Sequence, residues 1–249
     1  MMPDQQLIFG AHATRSALQS RPGQCVELLV RQKPSKSARQ IEGLAQSHSI
    51  PVREIDPDEF ERRVGDVNHQ GVALLVASRA AYSEKDLNDL LDQAATAPLI
   101  LVLDGVQDPH NLGACLRTAA GFGVDLVIVP KDRSCDLTPT VHKVAVGAVD
   151  RVPFVRVANL VRTLKQLKER GIWVFGADGE SRSDLSSLEL NGPAALVLGN
   201  EGKGLRRLTR EACDSLFSIP MTDAVESFNV SVACGICLYE SQRQRRSIK

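Results

Sequence analysis

The chain has 249 residues, of which 43% are hydrophobic and 24% are charged, and its formal net charge at pH 7 is zero. This length predicts one large or two modest domains, and the composition is typical of a globular protein. The balanced charge excludes nucleic-acid binding through a global basic field, so any such binding must use local positive charge.

Residues 1–9 lack a basic stretch followed by an apolar core, so we expect no signal peptide. No apolar run is long enough to span a bilayer, and we therefore expect a cytoplasmic protein. The six cysteines lie in apolar segments, which is typical of reduced, buried thiols. Cys234 and Cys237 have the spacing of a metal or redox pair, but they share an apolar helix face with Val230, which predicts a core role.

Residues 1–79 have the pattern of a small α/β domain. Ile8 and Phe9 lead into a short helix that runs through Leu18. Asp56 before Pro57 predicts a helix start, with the aspartate as cap and the proline at the first helical position. The remaining predicted elements are strands over 26–30, 50–55 and 71–77 and a helix over 37–48.

Residues 80–98 are predicted to form a linker and the first helix of a second domain. Ser83 and Asp86 have the spacing of a capping pair, and Pro98 ends the helix that follows them. Over 99–249 strands alternate with helices, which predicts a mostly parallel sheet with helices on both faces. The predicted strands are 99–103, 126–129, 152–157, 173–175 and 194–198, and the predicted helices are 112–122, 140–149, 160–170 and one from Val230.

The last helix also carries a second apolar stripe, formed by Val232, Ile236 and Tyr239. A helix that is apolar on two sides must be buried on two sides, so it is either central or packed against a second subunit. The basic tail contains Arg243, Arg245, Arg246 and Lys249. It is interpreted as a solvated helix end, and phosphate contact is the alternative.

The first candidate site runs from Asp108 to Gly123 and follows the strand over 99–103. Asn111 is interpreted as a helix cap. Gly113 lies one helical turn before Arg117 and leaves room for the guanidinium to fold back toward Asn111. The same spacing also fits an exposed helical arginine beside a capping asparagine.

Two further polar segments lie near the C-terminus. Residues 199–205 contain three glycines, which let a backbone approach a ligand closely, and Glu201 can accept hydrogen bonds there. The alternative is a glycine-rich turn with solvated charges. Residues 219–221 and 227–229 form the other segment. The histidines show no metal-ligand spacing, so no metal site is predicted, and His110 is of interest only because it adjoins Asn111.

Taken together, these segments resemble the signature motifs of the SpoU (TrmH-like) branch of the SPOUT RNA methyltransferases. The motifs are 111–117 with 120–123, 198–205, and 219–221 with 227–233. Residues 8–13 and 68–72 resemble the substrate-binding domain of the family members that act on 23S ribosomal RNA. The resemblance covers nearly the whole chain; one departure is Phe228, where the family often has leucine.

The resemblance implies a fold and a set of ligands. The fold is an α/β catalytic domain over 99–249 with a deep trefoil knot, preceded by a small α/β domain similar to a ribosomal protein. S-adenosylmethionine would be held at Gly199, Ile219 and Phe228. The enzyme would be a homodimer, packed through the knotted C-terminal region.

The implied reaction is 2′-O-methylation of a guanosine ribose in the peptidyl-transferase loop of 23S rRNA, during ribosome biogenesis. Arg117 would be the cation that lowers the pKa of the ribose hydroxyl, because a guanidinium is always protonated in proteins. The residues that would orient Arg117 and the ribose are Asn111, Glu201, Ser227 and Asn229. The residues that would bind RNA are His12, Arg15, His69 and Gln70.

Three alternatives stay open at this point. The first is a transfer RNA 2′-O-methyltransferase of the same branch, although the simplest of these resemble the catalytic half alone. The second is a resistance methyltransferase that acts on an adenosine of ribosomal RNA. The third is a non-catalytic RNA-binding factor in ribosome assembly, against which the joint presence of Asn111, Arg117, Glu201 and Asn229 argues.

Overall fold

A computed structural model describes residues 5–65, 67–77, 81–200, 202–222, 225 and 227–246. The chain divides into two compact units. The first comprises Met1–Ala80 with His142–Asp150, and the second comprises Ala81–Val141 with Arg151–Lys249. No helix among the described residues is both long enough and apolar enough to cross a membrane.

The first unit has a four-stranded sheet in the order β1-β4-β2-β3. Strands β2 and β3 are parallel, and β4 is antiparallel to both β1 and β2. The elements are β1 (Gln5–Phe9), α1 (Ala11–Ser20), β2 (Cys25–Arg31), α2 (Lys36–Ser47), β3 (Val52–Ile55), α3 (Pro57–Val64) and β4 (Val72–Ala77). The predicted cap is confirmed, since the Asp56 side chain accepts hydrogen bonds from the backbone N–H groups of Asp58 and Glu59. Strand β1 was not predicted.

The second unit contains a seven-stranded sheet in the order β11-β9-β10-β6-β7-β8-β5, counted over the residues that the structure describes. Every strand pair in it is parallel, which confirms the predicted parallel sheet. Its strands are β5 (Tyr82–Ser83), β6 (Leu99–Asp104), β7 (Leu126–Pro130), β8 (Phe154–Val157), β9 (Trp173–Ala177), β10 (Ala194–Gly199) and β11 (Ser215–Phe217). From Ala81 onward the helices of the described residues are α4 (Leu87–Gln93), α5 (Pro109–Gly121), α6 (Pro139–Ala145), α7 (Leu160–Glu169), α8 (Arg207–Ala212) and α9 (Val230–Arg246). Helix α6 begins in the second unit and ends in the first.

The order of the strands creates a topological switch point between β6 and β10. From β6 the chain proceeds to β7 and β8 on one side, whereas β10 and β9 lie on the other side. Loops at the carboxyl ends of two strands separate at such a point and leave a crevice, which is where ligands bind in open α/β sheets. The predicted motifs 108–123 and 199–205 follow β6 and β10, so the sheet brings both to this crevice.

Four short elements differ from the prediction. Strand β11 and helix α8 were missed because three and six residues are too few to show a period. Ser83 belongs to the edge strand β5, which pairs with β8, although its N–H and hydroxyl also bond to Asp86 as a capping pair would. The helix predicted over 140–149 ends at Ala145.

The core role predicted for the paired cysteines is confirmed. Cys234 and Cys237 lie on the buried face of α9, and both are fully hidden from solvent. A hydrogen bond with Cys115 of α5, together with burial, raises the pKa of the Cys234 thiol well above its ordinary value. These thiols stay protonated and act as packing groups. Strand pairing does not describe how a chain threads a loop, so the knot stays a prediction.

The basic tail is a solvated helix end at Arg243 and Arg246, which are exposed, but Arg245 is built into the second unit. Its guanidinium donates to the carbonyl oxygens of Ala97, Leu190 and Gly192 at 2.7, 2.9 and 2.6 Å. Burial lowers the pKa of this guanidinium. The sequence pattern could not show this, since the three carbonyls belong to distant loops that only the fold brings to the end of α9.

Replacement of Arg245 by methionine is expected to lower the free energy of unfolding by about 2–4 kcal/mol, because three carbonyls lose a charged donor. The matched control is Arg246→Met, which removes an exposed arginine from the same helix end. It should change stability by less than about 0.5 kcal/mol. Urea unfolding of the two variants makes the comparison, and equal midpoints would show that the Arg245 contacts do not stabilise the fold.

Candidate active site

A cavity of about 390 Å³ lies over the carboxyl ends of β9 and β10, and we call it the donor cavity. It is lined by Ala177, Asp178, Gly179, Leu198, Gly199, Asn200, Gly202, Gly204, Phe217, Ile219, Met221, Ser227, Phe228, Val230 and Ala233. Most of this wall is apolar side chain or glycine backbone, with a few polar groups. Such a composition suits a small organic ligand that is held mainly by shape and backbone contacts.

The loop after β10 is folded tightly against itself. Asn200 and Gly204 exchange backbone hydrogen bonds of 2.8 and 3.2 Å. A Cβ atom on Gly199 would lie 2.2 Å from the carbonyl carbon of Gly204, so only glycine fits at position 199. The Asn200 side chain donates to the Gly105 carbonyl at 3.2 Å, which joins this loop to the loop after β6. The glycines therefore shape one wall of the donor cavity.

The N-termini of α5 and α9 meet through two asparagine side chains. The Asn229 amide nitrogen donates to the side-chain oxygen of Asn111 at 3.1 Å, although 118 residues separate them. The Asn229 side-chain oxygen accepts from the N–H and the hydroxyl of Ser231 at 2.9 and 2.6 Å. Asn229 thus caps α9 and at the same time joins α9 to the start of α5.

The interpretation of Asn111 as a helix cap is wrong. Helix α5 begins three residues earlier than predicted, because the Asp108 side chain accepts from the His110 N–H at 2.9 Å and Pro109 takes the first helical position. This is the Asp-Pro start signal that was recognised at Asp56. Released from capping, the half-buried Asn111 side chain is available to Asn229. The helix ends at Gly121, one residue before the predicted end, with Gly123 in the left-handed region.

Arg117 lies on α5 and is exposed. It is not among the described residues that line the donor cavity, whereas Ser227, Phe228 and Ile219 are. The structure thus groups the predicted donor residues in one cavity and places Arg117 outside it, on the helix that Asn111 begins. Glu201, predicted to orient the ribose, lies outside the described residues.

Sequence reasoning missed an ion pair beside the switch point. The Asp104 carboxylate at the end of β6 accepts from the Arg206 backbone N–H at 3.1 Å and from its Nε at 2.6 Å. The Asp104 side chain is fully buried. One sequence feature could have indicated this ion pair, namely that Asp104 is the only polar residue of the otherwise apolar strand β6.

Two of the predicted RNA-binding residues have structural contacts in the first unit. The Gln70 side-chain oxygen accepts from the Ala11 N–H at 3.0 Å and so caps α1 from a distant loop. His69 accepts from the Gly71 N–H at its Nδ1 atom, so its Nε2 atom carries the hydrogen that faces Glu61 at 3.1 Å. These contacts hold the loop 67–71 against the start of α1.

The other two predicted RNA-binding residues lie on α1. His12 is exposed near its N-terminus, and Arg15 donates to the Gln40 side chain at 3.3 Å. The loop 67–71 and the first turns of α1 therefore form one continuous surface, which contains all four predicted residues.

Comparisons with known families match both units of the chain. The model of the SpoU rRNA Methylase family matches residues 98–239. A second model, described as RNA 2′-O ribose methyltransferase substrate binding, matches residues 7–81. The first match covers every described element of the donor cavity, and the second covers the surface formed by α1 and the loop 67–71.

Individual proteins give the same result. The 23S rRNA (guanosine-2′-O-)-methyltransferase RlmB of Pseudomonas putida is 46% identical over 98% of this chain and 99% of its own length. RlmB of Nitrosomonas europaea is 49% identical over 98% of this chain and 93% of its own. The structure of the SpoU methyltransferase AviRb from Streptomyces viridochromogenes in complex with AdoMet superposes with a TM-score of 0.82, at 26% identity over 98% and 91% of the two chains.

Proposed function

Because the chain belongs to the SpoU rRNA methylase family, we propose that it methylates the 2′-hydroxyl of a guanosine in 23S ribosomal RNA with S-adenosylmethionine as donor. We place this guanosine in the peptidyl-transferase loop and the reaction in the cytoplasm, during ribosome biogenesis. The observation that carries the proposal is the hydrogen bond between Asn229 and Asn111, which joins the donor cavity to the helix that bears Arg117.

The donor cavity fits S-adenosylmethionine. Its volume of about 390 Å³ lies within the range of about 300–1,000 Å³ that small-ligand sites occupy. Gly199 leaves no space for a side chain, so backbone groups form the wall there. Gly199, Ile219 and Phe228 would hold the donor, with the Phe228 ring in place of the leucine common in the family. When bound, the donor supplies a methyl group activated by its sulfonium centre.

The chain itself must orient the ribose and stabilise the negative charge that develops on its oxygen. Arg117 supplies a permanent positive charge for that oxygen. Asn111 and Asn229 hold each other in place where the N-termini of α5 and α9 meet. Ser227 is exposed at the edge of the donor cavity and, with Glu201, would contact the ribose.

RNA recognition is assigned to the first unit. His12 and Arg15 would contact the RNA, whereas His69 and Gln70 would contribute mainly by holding the loop 67–71 in position through their contacts with Gly71 and Ala11. The simplest transfer RNA enzymes of this branch resemble the catalytic half alone. The presence of the first unit therefore favours ribosomal RNA as the substrate.

The test of the function is a map of 2′-O-methylation across ribosomal and transfer RNA from cells with and without the protein. We expect one guanosine of the peptidyl-transferase loop to lose its methyl group and to regain it when the purified protein and donor are added. A missing methyl group on transfer RNA, or on an adenosine of ribosomal RNA, would favour one of the two methyltransferase alternatives. An unchanged map would favour a non-catalytic factor.

We further propose a homodimer in which α9 packs against its copy in the partner subunit. Val232 and Tyr239 are 49% and 61% exposed, and with the half-buried Ile236 they form an apolar stripe along this helix. Such a stripe is typical of a helix that has a second packing partner.

Replacement of Tyr239 by aspartate is expected to weaken the dimer by at least a hundredfold, because an interface would have to bury an unpaired carboxylate. The control is Trp173→Asp, which changes an aromatic residue of similar exposure, 60%, on strand β9. Sedimentation equilibrium of both variants measures the dissociation constants. A monomeric wild-type protein, or equal constants for the two variants, would refute this interface.

A further inference from the structure

A second cavity, of about 440 Å³, lies over the carboxyl ends of β7 and β8. It is lined by Pro130, Asp132, Ala158, Asn159, Leu160, Val161, Arg206, Arg207, Leu208 and Thr209. In the sheet, β6 separates β7 and β8 from β10 and β9, whose ends carry the donor cavity. The two cavities therefore open at the same edge of the sheet, on opposite sides of β6.

The Arg206 guanidinium in this second cavity forms an ion pair with a buried carboxylate, that of Asp104. Its Nε and Nη2 atoms lie 2.6 and 2.5 Å from the Asp104 carboxylate. The Asp104 side chain is 0% exposed, whereas the Arg206 side chain is 43% exposed. The buried carboxylate thus fixes the orientation of the guanidinium and leaves its outer part accessible.

The position of the two arginines is unfavourable for the helix that they begin. Arg206 occupies the N-cap of α8 without a side-chain cap bond, and Arg207 is the first helical residue. Polar caps such as serine or aspartate are preferred there, and positive charge near a helix N-terminus is destabilising. Residues that break a local rule in this way commonly serve a functional site.

The ion pair that Arg207 forms with a neighbouring side chain does not explain why an arginine occupies this position. Arg207 pairs with Glu211 at 2.7 Å on the exposed surface, and a pair of this kind stabilises a protein very little. Asp132 also lines the cavity and is the acidic side chain among the described lining residues. Two arginines, one of them anchored, thus face a cavity next to the switch point.

We propose that Arg206 and Arg207 bind a phosphodiester group of the RNA strand that carries the target ribose. This inference rests on the proposed function. A planar guanidinium with a fixed orientation matches the paired oxygens of a phosphodiester. The ends of β10 and β7 are two strand spacings apart, about 10 Å. That distance is comparable to about three stacked nucleotides at about 3.4 Å each. A strand whose ribose reaches the donor cavity can therefore place a neighbouring phosphate at the arginines.

The test measures RNA affinity of the full-length protein as a function of salt for the variants Arg206→Gln and Arg207→Gln. The RNA is a fragment of 23S rRNA that contains the peptidyl-transferase loop. Each lost phosphate contact should make the slope of log K against log salt less negative by about 0.7–0.9. We expect affinity to fall about threefold to tenfold at low salt, KM for RNA to rise by a similar factor, and donor affinity to stay unchanged.

Arg170→Gln is the matched control. Arg170 is also a partly exposed arginine in an ion pair, with Asp92 at 2.6 Å, but it follows the C-terminal end of α7, away from the cavity. It should keep the wild-type slope. Since Arg206→Gln leaves Asp104 without its cation and can destabilise the fold, Arg207→Gln provides the same test at an exposed position, and thermal unfolding is measured for each variant.

Slopes of Arg207→Gln and of a folded Arg206→Gln that equal the slope of Arg170→Gln would overturn this inference, even if the wild-type protein methylates the RNA. Conversely, failure of the wild-type protein to methylate any ribosomal RNA would refute the proposed function, and the salt slopes would still report whether the arginines contact RNA.

Discussion

An Arg117→Ala variant is expected to lose methyl transfer by a factor of about 10²–10³ in kcat, which is the usual effect of removing one preorganised group that stabilises developing negative charge. Affinity for S-adenosylmethionine should stay at the wild-type level, because Arg117 is not among the described residues that line the donor cavity. Single-turnover methylation of the RNA and equilibrium binding of the donor measure the two quantities separately.

We expect Arg117→Ala to lower kcat but not donor affinity because of the position of α5 in the fold. Asn111 at its start is bonded to Asn229, which directly follows Phe228 of the donor cavity. Arg117 lies further along the same helix and is exposed, so its charge is available to a substrate that approaches from solvent. We therefore expect Arg117 to contribute little to donor binding.

Arg117→Lys distinguishes charge from geometry. A lysine keeps the positive charge but loses the planar fork of the guanidinium. If charge alone lowers the pKa of the ribose hydroxyl, Arg117→Lys should keep most of the methyl-transfer rate that Arg117→Ala loses. Arg170→Ala, at the end of α7, serves as the control for loss of one arginine in the same unit. Wild-type turnover by Arg117→Ala would refute the assigned role.

A Gly199→Ala variant is expected to lose donor affinity by at least a hundredfold. The added Cβ atom would lie 2.2 and 2.3 Å from the carbonyl carbon and oxygen of Gly204, and 2.5 Å from the Leu205 nitrogen. These are backbone atoms, which cannot move aside as the end of a flexible side chain does. The loop would have to open, and the bonds between Asn200 and Gly204 that shape the cavity wall would break.

The matched control for this variant is Gly121→Ala. Gly121 ends α5 in the same unit, and an added Cβ atom would meet nothing within 4 Å. Isothermal titration with S-adenosylmethionine should give wild-type affinity for Gly121→Ala and loss of binding for Gly199→Ala. Far-ultraviolet circular dichroism of both variants establishes that they are folded. Equal donor affinities would show that the loop after β10 does not form the donor site.

The alternation of strands and helices along the chain was sufficient to predict the parallel sheet of the second unit. Apolar runs such as 99–104 and 194–199 are buried on both faces of a parallel sheet, and their composition alone reveals them. The edge strands β1 and β11 were missed. Short edge strands have weak patterns, and their pairing depends on a partner elsewhere in the chain.

Structure could be predicted from the sequence where a residue interacts with its own neighbours in the chain. The Asp-Pro pair at 56–57 identified the start of α3, and the same signal at 108–109 was present but unused, which led to the wrong cap for α5. The sequence associated glycines 199 to 204 with a ligand loop, and Gly199, Gly202 and Gly204 line the donor cavity. In each case the cause lies within a few residues of the effect, so the sequence contains it.

Contacts between distant segments of the chain could not be predicted from the sequence. The sequence alone determined the central strands, the longer helices and the family motifs, because apolar period, capping and glycine spacing are local properties. Only the tertiary structure decided that Asn229 bonds to Asn111, that Arg245 binds three carbonyls and that Asp104 anchors Arg206. A side-chain hydrogen bond depends on directions and distances set within a few tenths of an ångström by the packing of the whole unit, and no local pattern records them.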